Sequence, residues 1–408
     1  MPIGLRVAPL MIPRMRLVRR LGAALAILVA VAIVVWGAAY ARGASLVIRA
    51  AHLEGWLRQA ADIQARPWQA GPAQTITTRH GSIPARIYRP SGTARRAVIL
   101  TPGVHAMGIE EPRLKGLAGE LAATGLTVVT IASPDLAHYR FTPQSVDQIE
   151  DAAKWLLAQP DLAPDGRIGL MGISFAGGLS LVAAGRPAIR DHIAYVFSFG
   201  GHGDLPRALK YLCSGLEPHA PGEPADRPQH FRAPHDYGVA VILLGAADRV
   251  VPSDQVAPLR HGIETFLRAS QLTLVDMKQA RAVYNESTAI AATLPEPSAT
   301  LMKMVNDRNT KALGARLLPI VSDPTVYPPS LSPEGSTAPA APVFLLHGTD
   351  DTVIPAVETL LLAQHLQAAH VEVHPLLSGL ITHAEVDKTA AAAETWKLIQ
   401  FWTLLLSK

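Results

Sequence analysis

Cysteine is nearly missing from this chain: Cys213 is the single one among 408 residues. One thiol makes no intrachain disulfide, and it excludes a Cys-based zinc site and an iron–sulfur cluster. Aromatic residues are also sparse, at 5%, and charged residues reach only 17%, whereas hydrophobic residues make up 49%. That balance excludes a disordered or collagen-like chain and supplies enough apolar surface for a sizeable core. No phosphate loop, dinucleotide fingerprint or H-E-x-x-H is present, so neither a metal nor an organic cofactor is implied. The formal charge of +4 is unevenly spread. Five arginines (Arg6, Arg14, Arg16, Arg19 and Arg20) and no acid lie in residues 1–20, and without them 32 basic residues face 33 acidic ones. A near-neutral body excludes a nucleic-acid-binding surface.

What the chain does have begins with a long apolar run. Leu21–Tyr40 is twenty residues without a charge, long enough to cross about 30 Å of hydrocarbon as a helix. The pattern predicts a basic cytoplasmic N-terminus (1–20), a transmembrane or signal-anchor helix (21–40) and a connecting helix (41–72). A cleaved signal peptide is the alternative, since Ala39-Tyr40-Ala41 resembles a small-x-small site, although signal-peptide apolar cores usually run only about 7–15 residues. Either way the arginines stay cytoplasmic and the body lies across the membrane, anchored or secreted. Trp36 and Tyr40 suit an interfacial aromatic belt. Residues 45–62 show helical spacing, with Leu46, Val47, Ala50, Leu53 and Leu57 on one side.

From residue 73 strands and helices alternate. Gln74–His80 and Ser82–Arg89 read as a strand pair around Gly81. Apolar strands follow at Arg96–Thr101, Leu126–Ala132, Arg167–Ile173, Ile193–Phe199, Val343–Leu346 and Val371–Leu377. Helices are predicted at Pro112–Thr124, Ser145–Gln159, Phe175–Ala184, Ala356–Ala369 and Glu385–Leu406. This alternation predicts an α/β fold with a doubly wound, mainly parallel sheet of eight strands. Residues 200–340 interrupt it. Their Pro-rich loop at Pro221–Pro234, their helical stretch at 237–320 and the return linker Pro324–Pro342 read as a mainly helical lid insertion between two parts of one domain, 73–199 and 341–408.

The chemistry centres on Gly172-Ile173-Ser174-Phe175-Ala176, between a buried strand and a helix. This is a G-x-S-x-G elbow with Ala176 in place of the last glycine, and it forces the Ser174 hydroxyl out at the strand's C-terminal end. The competing reading is an ordinary turn in which Ser174 merely caps a helix. A serine nucleophile needs a base and a group that orients the base. Asp351 lies in the acidic turn ending Phe344–Pro355, and His383 follows the last strand. Their chain order, serine then acid then histidine, suits the elbow. Val241–Pro252 repeats the spacing of the acidic turn and makes Asp248 an alternative acid, with Asp350 a third. Two backbone N–H groups must meet the developing oxyanion: Phe175, and Val104 or His105 in the turn after Arg96–Thr101. Val239–Leu244, Leu259, Phe266, Leu267 and Leu272 line an acyl pocket or pack the lid itself.

In Gly172–Gly178, the acidic turn His347–Pro355, His383 and the turn Thr101–His105, the chain resembles the α/β-hydrolase family, over about half its length. The resemblance implies a Ser–acid–His mechanism and eight strands. Eight are found without Val241–Pro252, which favours Asp351 over Asp248. The expected function is a membrane-anchored serine hydrolase acting on a small-molecule ester or thioester. A serine peptidase of the same fold and a non-catalytic binding protein are the alternatives, and the family fold alone does not give the substrate.

Overall fold

A computed structural model describes residues 36–273, 276–381 and 388–408. Helix α1 runs over 36–50 and α2 over Trp56–Gln64. A short strand β1 (Trp68–Ala70) precedes β2 (Gln74–Thr78), β3 (Gly81–Pro90) and β4 (Arg96–Thr101). Then come α3 (Pro112–Ala123), β5 (Leu126–Ile131), α4 (Pro134–Ala137), α5 (Pro143–Leu157), β6 (Ile168–Ile173), α6 (Phe175–Ala184) and β7 (Ile193–Phe199). The chain closes with β8 (Val343–Gly348), α14 (Val357–Ala368), β9 (Val373–Ser378) and α15 (Lys388–Leu405). Among the described residues seven α-helices lie between β7 and β8: α7 (Leu205–Ser214), α8 (Asp236–Gly245), α9 (Ala247–Val250), α10 (Ser253–Leu272), α11 (Met277–Thr293), α12 (Ser298–Asn306) and α13 (Thr310–Val321).

The sheet order is β1-β3-β5-β4-β6-β7-β8-β9, with β2 also on β3. It is parallel from β5 to β9 and antiparallel at the β1–β3 edge. The α/β expectation holds, with one correction: the sheet has nine strands among the described residues, not eight. The extra one, β1, is three exposed residues paired to Tyr88–Pro90. It is too short to carry an alternating pattern, so only its pairing reveals it.

Side chains on the parallel strands point alternately to two helical layers, as strand geometry requires. Ile99, Val129, Leu170 and Val196 meet α5 and α6 on one face. Val98, Leu100, Val128, Met171, Phe197 and Phe344 meet α3 and α15 on the other. Burial on both faces is why these strands are continuously apolar.

The N-terminal segment corrects a second expectation. Residues 45–62 are not one helix: α1 stops at 50, and His52 and Gly55 turn the chain at φ 52° and 72°. The turn lets α2 fold back, and the Ser45 hydroxyl donates to the Ala61 carbonyl at 2.7 Å. Leu46 is buried in the core, and the buried Arg49 guanidinium reaches Glu120 at 2.5 Å. The Tyr40 ring stacks on Trp396 of α15 with centroids 5.4 Å apart. A Cβ on Gly43 would lie 2.3 Å from the Thr403 hydroxyl, so α1 and α15 touch at glycine. Among the described residues no helix is long and apolar enough to cross a membrane. Most of the 21–40 run, residues 21–35, lies outside the described residues.

The return segment is packed rather than free. The Ser332 hydroxyl accepts from the Leu205 N–H at 2.9 Å, and Arg207 bridges Glu334 and the buried Glu358, each at 2.6 Å. These contacts tie α7 to α14 and fix where the helical insertion leaves the sheet.

Candidate active site

The tight turn between β6 and α6 gives Ser174 φ 54° and ψ −135°. A side-chain-bearing residue reaches this region only at a cost of about 1–3 kcal/mol, so the surroundings must hold it there. They do so through backbone bonds. The Ser174 N–H donates to the Phe199 carbonyl and its carbonyl accepts from the Gly177 N–H, both at 2.7 Å. Gly172 is required, because a Cβ there would lie 2.2 Å from the Ala176 carbonyl oxygen. Ser174 makes no capping hydrogen bond with its own side chain. That argues against the plain capping reading and leaves the hydroxyl for the cavity.

Phe175 is the first residue of α6, where helix geometry leaves the N–H without an intrahelical partner. The loop after β4 closes on the same point: a Cβ on Gly103 would lie 3.0 Å from the Ser174 Cβ. Gly103, Val104, His105 and Ser174 line one cavity of about 690 Å³. Burial pushes the His105 imidazole below its usual range, with nearby Glu111 opposing the shift and Arg113 adding to it. Its Nδ1 accepts from the Met107 N–H at 3.3 Å.

Ser174 and Asp351 line a second cavity of about 300 Å³, together with Phe199, Gly200, Asp350 and Ile381. Asp351 is held by its own turn: Oδ1 accepts the N–H groups of Val353 at 2.7 Å and Ile354 at 3.0 Å. Its other oxygen is 3.5 Å from Nε2 of the buried His347. That nitrogen donates to the Ile354 carbonyl at 2.9 Å, and Nδ1 lies 2.7 Å from the Thr359 hydroxyl. Asp350 is 3.3 Å from Arg232. Asp248 lies elsewhere, on α9, 3.1 Å from Arg260 of α10. His383 lies outside the described residues.

Of the apolar residues expected to line an acyl pocket, Val239–Leu244, Leu259 and Phe266 are buried in the core that joins the insertion to the body. Leu267 does line a cavity, of about 860 Å³. That cavity also exposes residues that sequence reading did not single out: Arg113, Tyr139, Tyr237, Arg281 and Arg308. No sequence motif groups them, since they come from five separate elements or loops. Burial raises the phenols of Tyr139 and Tyr237 above their usual range, so both stay protonated. Among the described residues no cluster of His, Cys, Asp or Glu has the arrangement to hold a metal ion.

No protein-family model matches the chain, and no curated protein matches it. Solved structures similar to it include Pyrococcus horikoshii acylaminoacyl peptidase, at 12% identity and TM-score 0.45, covering 86% of this chain and 43% of that one. An esterase from Pyrobaculum calidifontis is similar at 16% identity and TM-score 0.43, covering 90% and 91%. Brefeldin A esterase, a bacterial homologue of human hormone-sensitive lipase, is similar at 15% identity and TM-score 0.44, covering 91% and 86%. The chain thus spans less than half the length of the peptidase.

Proposed function

We propose that this protein is a serine hydrolase that cleaves carboxylic ester or thioester bonds through an acyl-enzyme. The observation that carries the reading is Ser174: a serine at positive φ between a buried strand and a helix, facing a cavity it shares with Asp351. Ser174 Oγ attacks the substrate carbonyl carbon while His383 takes its proton. The oxyanion is met by the Phe175 N–H and by an N–H of Val104 or His105. Collapse breaks the C–O or C–S bond, and His383 returns the proton to the departing alcohol or thiol. Water then adds to the acyl-enzyme by the same path, releasing the acid and Ser174. Asp351 orients the imidazole and stabilises its cationic form. Ile381, two residues before His383, lines the Ser174 cavity, which supports the histidine assignment.

The helices between β7 and β8 act as a lid: α10 and α11 residues form one wall of the 860 Å³ cavity. The uncharged run Leu21–Tyr40 anchors the body on the extracytoplasmic side of a membrane. The contact of Tyr40 with Trp396 favours an intact N-terminal segment over cleavage at Ala39–Ala41, because cleavage would remove the stacked ring.

The test is labelling by a fluorophosphonate probe. The full chain should label, and Ser174→Ala and His383→Ala should not. A folded wild type that fails to label, or a Ser174→Ala variant that labels equally, sinks the reading.

A further inference from the structure

The 860 Å³ cavity holds more positive charge than the chemistry at Ser174 requires. It lies between the loop after β4 and helices α10 and α11. Val104, His105, Arg113 and Tyr237 line both this cavity and the one that contains Ser174, so the two meet beside the nucleophile. Three guanidinium groups line the larger cavity, from Arg113, Arg281 and Arg308, against a single carboxylate, Asp236. Arg308 is partly satisfied: it lies 3.1 Å from Asp236, and its guanidinium sits 5.3 Å over the Tyr284 ring. Arg113 is paired at 2.6 Å with Glu111. Arg281 has no carboxylate within ion-pair distance among the described residues.

An exposed arginine on a convex surface needs no partner, because water solvates it. Arg281, itself exposed, lines a concave wall that carries two other exposed arginines, so their fields add within one cavity instead of being spread over open surface. Asp236 and Glu111 pair with Arg308 and Arg113, which leaves the Arg281 guanidinium as the cavity's arginine without an ion pair among the described residues. The planar guanidinium is suited to gripping a carboxylate at two points.

Resting on the assignment of Ser174 as nucleophile, we infer that the substrate carries a carboxylate remote from the scissile carbonyl, and that Arg281, with Arg308 beside it, binds that carboxylate. The enzyme is then an esterase of anionic esters rather than of plain fatty-acyl esters. The carboxylate belongs to the acid part or to the alcohol part according to which part fills the larger cavity.

Two matched pairs of substrates test this on the full chain. The first compares mono-4-nitrophenyl glutarate with 4-nitrophenyl butyrate, which places the charge on the acyl side. The second compares 4-(carboxymethyl)phenyl butyrate with 4-ethylphenyl butyrate, which places it on the leaving group. The wild type should favour the anionic member of one pair by about tenfold or more in kcat/KM, and Arg281→Gln should cut that ratio by about tenfold. Arg260→Gln, which alters an arginine paired to Asp248 away from the cavity, should keep the wild-type ratio. Preference for the neutral member in both pairs, or an unchanged ratio in Arg281→Gln, overturns the anion site while leaving the serine reading intact. Loss of both ester turnover and fluorophosphonate labelling overturns the serine reading and the anion site with it.

Discussion

A Cβ on Gly103 would lie 3.0 Å from the Cβ of Ser174 and 3.2 Å from the Ile173 carbonyl oxygen. Both distances are below ordinary van der Waals contact, so the loop after β4 rests directly on the Ser174 turn. Gly103→Ala should push that loop away and misplace the N–H groups of Val104 and His105. Losing one oxyanion donor costs about 100- to 1000-fold in kcat. The expected result is that scale of loss in ester turnover, with the melting temperature lowered by only a few degrees. A variant of near wild-type kcat would remove this loop from the oxyanion site.

Ser174 pays for its position in backbone strain. Glycine adopts positive φ without a Cβ clash, whereas alanine keeps the clash. Ser174→Gly should therefore be more stable than Ser174→Ala by about 1 kcal/mol, with both inactive. Calorimetry of the two variants side by side reads the difference. Equal melting temperatures would mean that the turn is not strained.

The assignment of the acid separates two similar sequence segments. Asp351→Asn should lower kcat by about 10⁴-fold, the scale found when a triad aspartate loses its charge. Asp248→Asn removes only a surface pair with Arg260 and should leave turnover within about twofold. The opposite pattern would transfer the role to Asp248.

His202 predicts an acid-sensitive fold. Its ring is fully buried, Nε2 donates to the Leu331 carbonyl at 2.9 Å, and Nδ1 has no partner. Burial pushes its pKa down to about 4. The unfolded chain takes up a proton near pH 6.5 that the folded chain refuses until about pH 4. In that window the unfolded state binds more protons, so stability rises with pH and is lost as pH falls. The full loss is about 3 kcal/mol below the window. Denaturant titrations between pH 7 and 4 should show this slope, and His202→Gln should flatten it. An equal slope in that variant would assign the acid sensitivity to other groups.

Gly178 shares this site, since a Cβ on it would lie 2.4 Å from the His202 ring. Gly178→Ala should force α6 and the segment after β7 apart, destabilising the fold by about 1–3 kcal/mol. The displacement also reaches Ser174 at the start of α6. Stability and ester turnover should therefore fall together, and a stable, fully active variant would contradict the packing.

The sequence by itself determined most of what depends on neighbours along the chain. Continuous apolar runs announced β4 to β8 because both faces of a parallel strand are buried. Helical spacing announced α3 and α5. The elbow at Gly172–Ala176 was legible because strand, turn and helix are consecutive, and its strain follows from that local geometry. Tertiary structure decided what depends on distant partners. The three residues of β1 become a strand only by pairing with Tyr88–Pro90. The break between α1 and α2 follows from packing against α3 and α15, and no periodicity marks it. Leu259 and Phe266 pack the joint between insertion and body, where hydrophobicity alone allowed a pocket. The cationic wall gathers Arg113, Arg281 and Arg308 from positions nearly 200 residues apart. Charge at one position carries no record of which charges will face it. Only the packing of α10 and α11 over the loop after β4 sets that encounter.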